Sequence, residues 1–239
     1  MTRTFLDRTS RLALVLAFVA AGGLVAEAEE KKQPNNPVGA GGWDSEVKSG
    51  GRTSRRTLST AQMKSIDTVN RYFNNLQNLK GRFTQTNPDG KIQRGKFHLK
   101  RPGKFRFDYR RPSRQIIVSD GKLLAIQDLD LKNEDVYGLE NTPFRILLRD
   151  KVDLLGDANI LAVEQSETQV AVTIADKDPD AAGQITIYLS NTETPELAGW
   201  VTNDVQGGVT KVKISDISRP EQLDPRLFER EKLYLKSIQ

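Results

Sequence analysis

The strongest constraint on this fold is a change of hydrophobic period at Gly81. Ahead of it, Ile66, Val69, Tyr72, Phe73, Leu76 and Leu79 recur at three- and four-residue spacing, while Lys64, Asp67, Arg71 and Asn75 fall elsewhere. That pattern predicts one amphipathic helix over roughly Thr60 to Leu79, with Ser59 or Thr60 as its cap and Gly81 as its stop. Beyond Gly81 the period is two almost to the end of the chain, in GRFTQT, KIQRGKFHLK, KFRFDYR, RQIIVSD, KLLAIQD, ILAVEQSE, TQVAVTIAD, GQITIYLS, AGWVTND and VTKVKISDI. Alternation of this kind gives strands with one apolar face.

The links between these strands are too short for parallel crossovers, and Asn87-Pro88-Asp89-Gly90 and Asp120-Gly121 carry turn chemistry. The sheet is therefore expected to be antiparallel and meandering, and the spacing of about ten residues points to a barrel or a strongly curved sheet. One segment interrupts the alternation. Asn141 to Leu148 reads as a short helix, with Thr142 capping it and Pro143 at its first position. Both helices need an apolar surface, and a curved sheet offers only its concave face. Such a core either fills solidly or encloses a pocket, and composition leaves both open.

At the N-terminus, Arg3, Arg8 and Arg11 precede the apolar run LALVLAFVAAGGLVA, which ends in Ala26-Glu27-Ala28. This has the layout of a signal peptide cleaved after Ala28, with an apolar stretch too short for a comfortable span. Residues 29–56 are rich in Gly, Pro, Asn and charge, contain the isolated Trp43, and read as a disordered leader. The folded domain is expected over residues 57–239. Of the net charge of +5, the signal region carries +1 and the leader +2, which leaves +2 on the domain. No nucleic-acid partner is expected from so small an excess without a binding motif.

The chain has no cysteine. Disulfides, thiolate metal sites and acylation on a cysteine are thereby excluded. The only histidine, His98, sits in a strand without a nucleophile partner, and no G-x-S-x-G, H-E-x-x-H or P-loop occurs. Asp128, Asp130, Glu134 and Asp135 lack calcium-loop spacing and read as a solvated acidic strand connection. An enzyme, a metal and a cofactor are all unexpected.

Six pieces in order resemble one family: Phe83-x-Gln85, Gly95, Lys100-Arg101-Pro102-Gly103-x-Phe105-Arg106-Phe107-x-Tyr109, Val118 to Lys122, Asn141 to Phe144, and Leu223-Asp224-Pro225-x-x-Phe228. Together they look like the periplasmic outer-membrane lipoprotein carrier family, LolA. The resemblance implies a mostly β fold with α, an incomplete antiparallel β-barrel closed by a helical lid. It implies a periplasmic chaperone that receives triacylated lipoproteins from an inner-membrane ABC transporter and delivers them to an outer-membrane acceptor lipoprotein. A monomer is expected.

The same resemblance assigns roles. Arg101 would latch the lid by hydrogen-bonding its backbone, a task suited to the donor-rich guanidinium fork. Phe83, Phe97, Leu99, Phe105, Phe107 and Tyr109 would form the acyl-chain cavity and its mouth. Ile66, Val69, Phe73, Pro143, Phe144 and Leu147 would belong to the lid. Apart from the resemblance, the charges of Lys104, Arg106 and Arg110 on the outer face read as solvation rather than as a basic rim for docking to a membrane or transporter.

Three other readings compete. An envelope-stress sensor domain has a similar barrel but normally carries a second C-terminal domain, for which a chain ending at Gln239 has no room. The outer-membrane acceptor is itself a lipoprotein, and the lack of cysteine argues against it. A scaffold with a solid core is the third. The leader and the tail Glu229 to Gln239 depart from the shared pattern, so the downstream acceptor stays undetermined.

Overall fold

A computed structural model describes residues 58–142, 144–178 and 183–233. The expected signal peptide and leader, Pro143 and the last six residues lie outside this set.

The first helix, α1, runs over Thr60–Asn75. Ser59 and Gln62 start it with a reciprocal capping box, in which the Gln62 amide donates to Ser59 Oγ at 3.3 Å and the Ser59 amide to Gln62 Oε1 at 3.0 Å. Its buried stripe is Ile66, Val69, Tyr72 and Phe73. The helix is shorter than the spacing predicts. Leu76 is already extended, and Leu79 and Gly81 belong to the first strand. Leu79 is buried as an inward strand residue opposite Leu99, a burial that continues the helical count by coincidence.

Eleven strands follow: β1 (Asn78–Thr86), β2 (Ile92–Lys100), β3 (Lys104–Tyr109), β4 (Gln115–Asp120), β5 (Leu123–Asp128), β6 (Asn133–Gly138), β7 (Ala158–Gln165), β8 (Gln169–Asp176), β9 (Gln184–Ser190), β10 (Leu197–Asn203) and β11 (Val209–Ser218). They form one antiparallel sheet in the order β6-β5-β4-β3-β2-β1-β11-β10-β9-β8-β7. The protein is thus mostly β, built on a single open, curved sheet with few helices. Pairing of β1 with β11 joins two sequential meanders, and the free edges are β6 and β7.

β6 is the strand that sequence reading missed. Its residues NEDVYG show no apolar alternation because four of the six are exposed at the sheet edge, where packing demands no buried face. Glu134 and Asp135 are therefore strand residues paired with Gln127 and Ile126 rather than parts of a connection.

This topology fixes where the remaining helices go. The chain leaves edge β6 at Gly138 and must reach edge β7 at Ala158, so the segment between them links the two open edges. It holds a 3-10 turn, Leu139–Asn141, then α2 (Arg145–Leu148) and α3 (Leu154–Asp157). Thr142 does not cap α2 as expected. Its hydroxyl donates back to Leu139 O at 2.8 Å, and Phe144 occupies the cap position without a side-chain bond.

The convex side is covered locally by the C-terminal segment. A 3-10 turn at Pro225–Phe228 packs against β3 and β4, with Leu223 and Phe228 buried. Ile116, Val118 and Ala125 are consequently buried on the outer face, which gives β4 apolar burial on both sides. The same segment corrects the reading of Arg106 as a solvated residue. Its guanidinium is buried between Asp108 Oδ1 at 2.8 Å and Glu231 Oε1 at 3.0 Å.

Candidate functional site

The concave face of the sheet, α1 and α2 line an apolar, partly open cavity of about 60 Å³. From the sheet, Leu99, Phe105 and Phe107 line one side, and Ile185, Ile187, Leu197 and Trp200 the other. Phe73 of α1 and Phe144, Leu147 and Leu148 at α2 form the roof. Period two brings Phe105 and Phe107 inward from the same strand, and burial of both helix stripes on one concave face delivers the rest.

Three of the six residues expected at the cavity border it, namely Leu99, Phe105 and Phe107. The other three, Phe83, Phe97 and Tyr109, stand behind Phe107 in a packed aromatic cluster. Phe83 meets Phe107 and Tyr109 edge to face at centroid distances of 5.2 and 4.9 Å, and Phe97 stacks on Phe107 at 5.8 Å. They do not touch the open space because Phe107 fills the position between. Among the expected lid residues, Phe73, Phe144 and Leu147 face the cavity, whereas Ile66 and Val69 are buried elsewhere along α1. Trp200 was not singled out from the sequence, although its place in the alternating stretch AGWVTND was a usable signal.

The roof is held down by polar contacts at both ends of one short segment. Arg101, in the turn between β2 and β3, donates through Nη2 to the carbonyls of Arg149 and Asp150, the latter at 3.3 Å. Beside it, the Gly103 amide donates to Leu148 O at 2.9 Å. Gly103 has φ of +68°, and a Cβ there would lie 2.8 Å from Gly121 Cα, so a glycine is required where the two turns meet. Burial lowers the Arg101 guanidinium from its ordinary value and the Asp150 carboxylate opposes this, but an arginine remains charged in either case.

Two asparagines complete the attachment, and neither was recognised in the sequence. Asn74 Nδ2 donates to Val152 O at 2.9 Å while the Val152 amide donates to Asn74 Oδ1 at 2.8 Å. One turn earlier, Asn70 Oδ1 accepts from the Leu154 amide at 3.0 Å. Their four-residue spacing puts both amides on one side of α1, beside the apolar stripe, and this was the available signal.

A further tie fixes α2 to the sheet. Arg145 grips Asp176 with two hydrogen bonds of 2.6 Å, from Nε and from Nη2. Burial alone pushes the Asp176 carboxyl upward, but the Arg145 fork and the Asp178 amide outweigh it and hold it below the ordinary range. Such a site has fixed hydrogen bonds at the rim and only carbon inside. Its lining suits apolar rather than polar groups.

His98 lies half-buried on the outer face of β2, opposite Lys80 and Arg106. Burial and these cations lower its pKa against the pull of Asp108.

The family model described as Outer membrane lipoprotein carrier protein LolA matches residues 74–231. The outer-membrane lipoprotein carrier protein of Methylococcus capsulatus is 29% identical over 180 residues, which cover 72% of this chain and 85% of that protein. Its counterpart in Neisseria meningitidis serogroup B is 26% identical over 179 residues, covering 72% and 85%. Among solved structures, a LolA superfamily protein from Nitrosomonas europaea superposes with a TM-score of 0.40 at 10% identity, covering 69% of this chain and 97% of that one. With the matched span running from the end of α1 to the C-terminal segment, this chain belongs to the outer membrane lipoprotein carrier family, LolA.

Proposed function

We propose that this protein is a periplasmic carrier that takes up the acyl chains of triacylated lipoproteins released by an inner-membrane ABC transporter and conveys them to an outer-membrane acceptor. The observation that carries this reading is the apolar cavity under a roof attached by a few polar contacts. At about 0.8 kcal/mol per CH₂, three chains of about 45 methylenes in all cost on the order of 35 kcal/mol if wetted. Unaided crossing of an aqueous compartment is therefore negligible.

Volume sets how the carrier works. One water needs about 10–15 Å³ of such space, so a cavity of about 60 Å³ has room for about four or five groups of water or methylene size. That is roughly a tenth of what three chains require. A cavity of this size does not admit the cargo, so on this reading loading requires α1 and α2 to move away from the sheet. Closure buries Phe105, Phe107 and the helix stripes when no cargo is present, which limits exposed apolar surface. Opening exchanges protein-protein contacts for contacts with acyl chains, so only part of the transfer energy is retained and cargo can be released.

Native mass spectrometry of the purified protein with a triacylated lipopeptide, and with its unacylated twin, tests the reading. A one-to-one complex formed with the acylated peptide alone is expected. Absence of a complex with either returns the site to a solid-core role.

A further inference from the structure

On the concave surface of β1 and β2, two glycines and two phenylalanines face each other in crossed pairs. Gly81 is in register with Phe97, and Phe83 is in register with Gly95. A Cβ on Gly81 would lie 2.9 Å from Phe97 Cε1, and a Cβ on Gly95 would lie 2.5 Å from Phe83 Cε1 and 2.7 Å from its Cζ. Each ring therefore lies down over the glycine of the neighbouring strand. A side chain at either glycine would also meet a backbone carbonyl, Ser215 O at 2.7 Å from a Cβ on Gly81 and Asp108 O for one on Gly95, so neither position has room for one.

The flattened rings are backed by polar groups. Phe83 meets Tyr109, whose hydroxyl donates to Gln85 Oε1 at 2.7 Å. Gln85 Nε2 in turn donates to Asn87 Oδ1 at 2.6 Å, and Asn87 Nδ2 to Gln93 Oε1 at 3.1 Å. Tyr109, Gln85 and Asn87 are all buried. Moving away from the cavity, then, one passes Phe107, the Phe83–Phe97 layer and finally a buried amide network. An acyl chain entering from the cavity has to turn Phe107 aside, which exchanges one set of apolar contacts for another, whereas entering the amide layer would strip paired polar groups of their partners.

We propose that the Phe83–Phe97 layer, seated on Gly95 and Gly81 and backed by Tyr109 and Gln85, is the floor that sets how long an acyl chain the site accepts. The inference rests on the carrier reading and adds a specificity element to it. Unlike the roof, this floor belongs to strands paired without interruption from Asn78–Lys100 to Thr86–Ile92, so it stays in place when the lid opens. Chains shorter than the depth to the floor are fully covered. The terminal carbons of longer ones remain in water.

The test uses the full chain and lipopeptides whose acyl groups run from about 12 to about 20 carbons, with affinity read by titration. Each covered methylene contributes about fourfold in affinity, so the wild-type logarithmic plot should rise and then flatten at the length that reaches the floor. Phe83→Leu frees the space of about one methylene and should move the break to longer chains by about one carbon, with Phe97→Leu doing the same. Two variants guard against a folding failure in either, and a cooperative thermal melt establishes that each is native. A break unmoved in both folded variants overturns the floor, and so does a wild-type plot that never flattens. Failure of the wild type to bind any acylated peptide overturns the carrier reading itself and the floor with it.

Discussion

Asn74 and Val152 exchange two hydrogen bonds, one in each direction, so a single side chain on α1 satisfies both backbone groups of a residue in the segment between α2 and α3. A primary amide is the one neutral group that donates and accepts at this spacing, as a neighbouring strand would. The two parts of the roof are thereby tied to each other.

Asn74→Ala leaves the Val152 amide and carbonyl without these partners, at a cost of about 1–3 kcal/mol to the closed form. Hydrogen exchange at the Val152 amide should accelerate about tenfold or more, while amides in β1 and β2 keep their protection. Unaltered protection at Val152 would show that the clamp does not govern closure.

If Arg101 latches the roof as proposed, Arg101→Leu removes its contacts to Arg149 O and Asp150 O and weakens the closed form more than the cargo-bound one. Hydrogen bonds from a charged donor are worth about 1.5–3 kcal/mol, and solvent screening at this part-exposed site favours the lower end. Lipopeptide affinity should rise about tenfold and release to acceptor vesicles should slow. Wild-type affinity and release in a folded variant would remove Arg101 from the latch.

Phe105→Glu places a carboxylate at the cavity wall, where only carbon surrounds it. An unpaired charge in such a site costs several kcal/mol, roughly, or draws in water. Either outcome should abolish acyl capture. Native mass spectrometry with the triacylated lipopeptide checks this directly, and a full complement of complex would place Phe105 outside the binding surface.

Acid should loosen α2 through Asp176. Its carboxyl is depressed in the folded protein, so the tie to Arg145 contributes fully above the unfolded value of about 3.9 and is lost as pH falls from there through the lower folded value. No change is expected between neutral pH and the start of that window. Asp176→Asn should show the loosened state already at neutral pH, with a cost of about 3 kcal/mol, since the Asp176 side chain is 0% exposed and Arg145 22%. Hydrogen exchange across Arg145–Leu148 against pH follows both effects.

Much of this architecture was legible in the chain. The period of two in KFRFDYR put Phe105, Phe107 and Tyr109 on one face, and the helical spacing of Ile66, Val69 and Phe73 marked the stripe of α1. The motif around Arg101 pointed to the roof it contacts. Reading failed where local pattern and tertiary demand diverge. Leu79 fits the helical count but is buried by β2, β6 has no apolar face to announce it, and Arg106 looks solvated until the C-terminal segment covers it.

Alternation and turn chemistry by themselves determined an antiparallel meander with one amphipathic helix, because side-chain period and short connections are properties of neighbouring residues. Only the tertiary structure decided that the sheet stays open between β6 and β7, that Asn70 and Asn74 join Arg101 in holding the roof, and that Phe83, Phe97 and Tyr109 stand behind the cavity rather than around it. Those outcomes depend on which surfaces meet across long stretches of chain. An asparagine on a helix or a phenylalanine on a strand carries no local mark of the partner it will find.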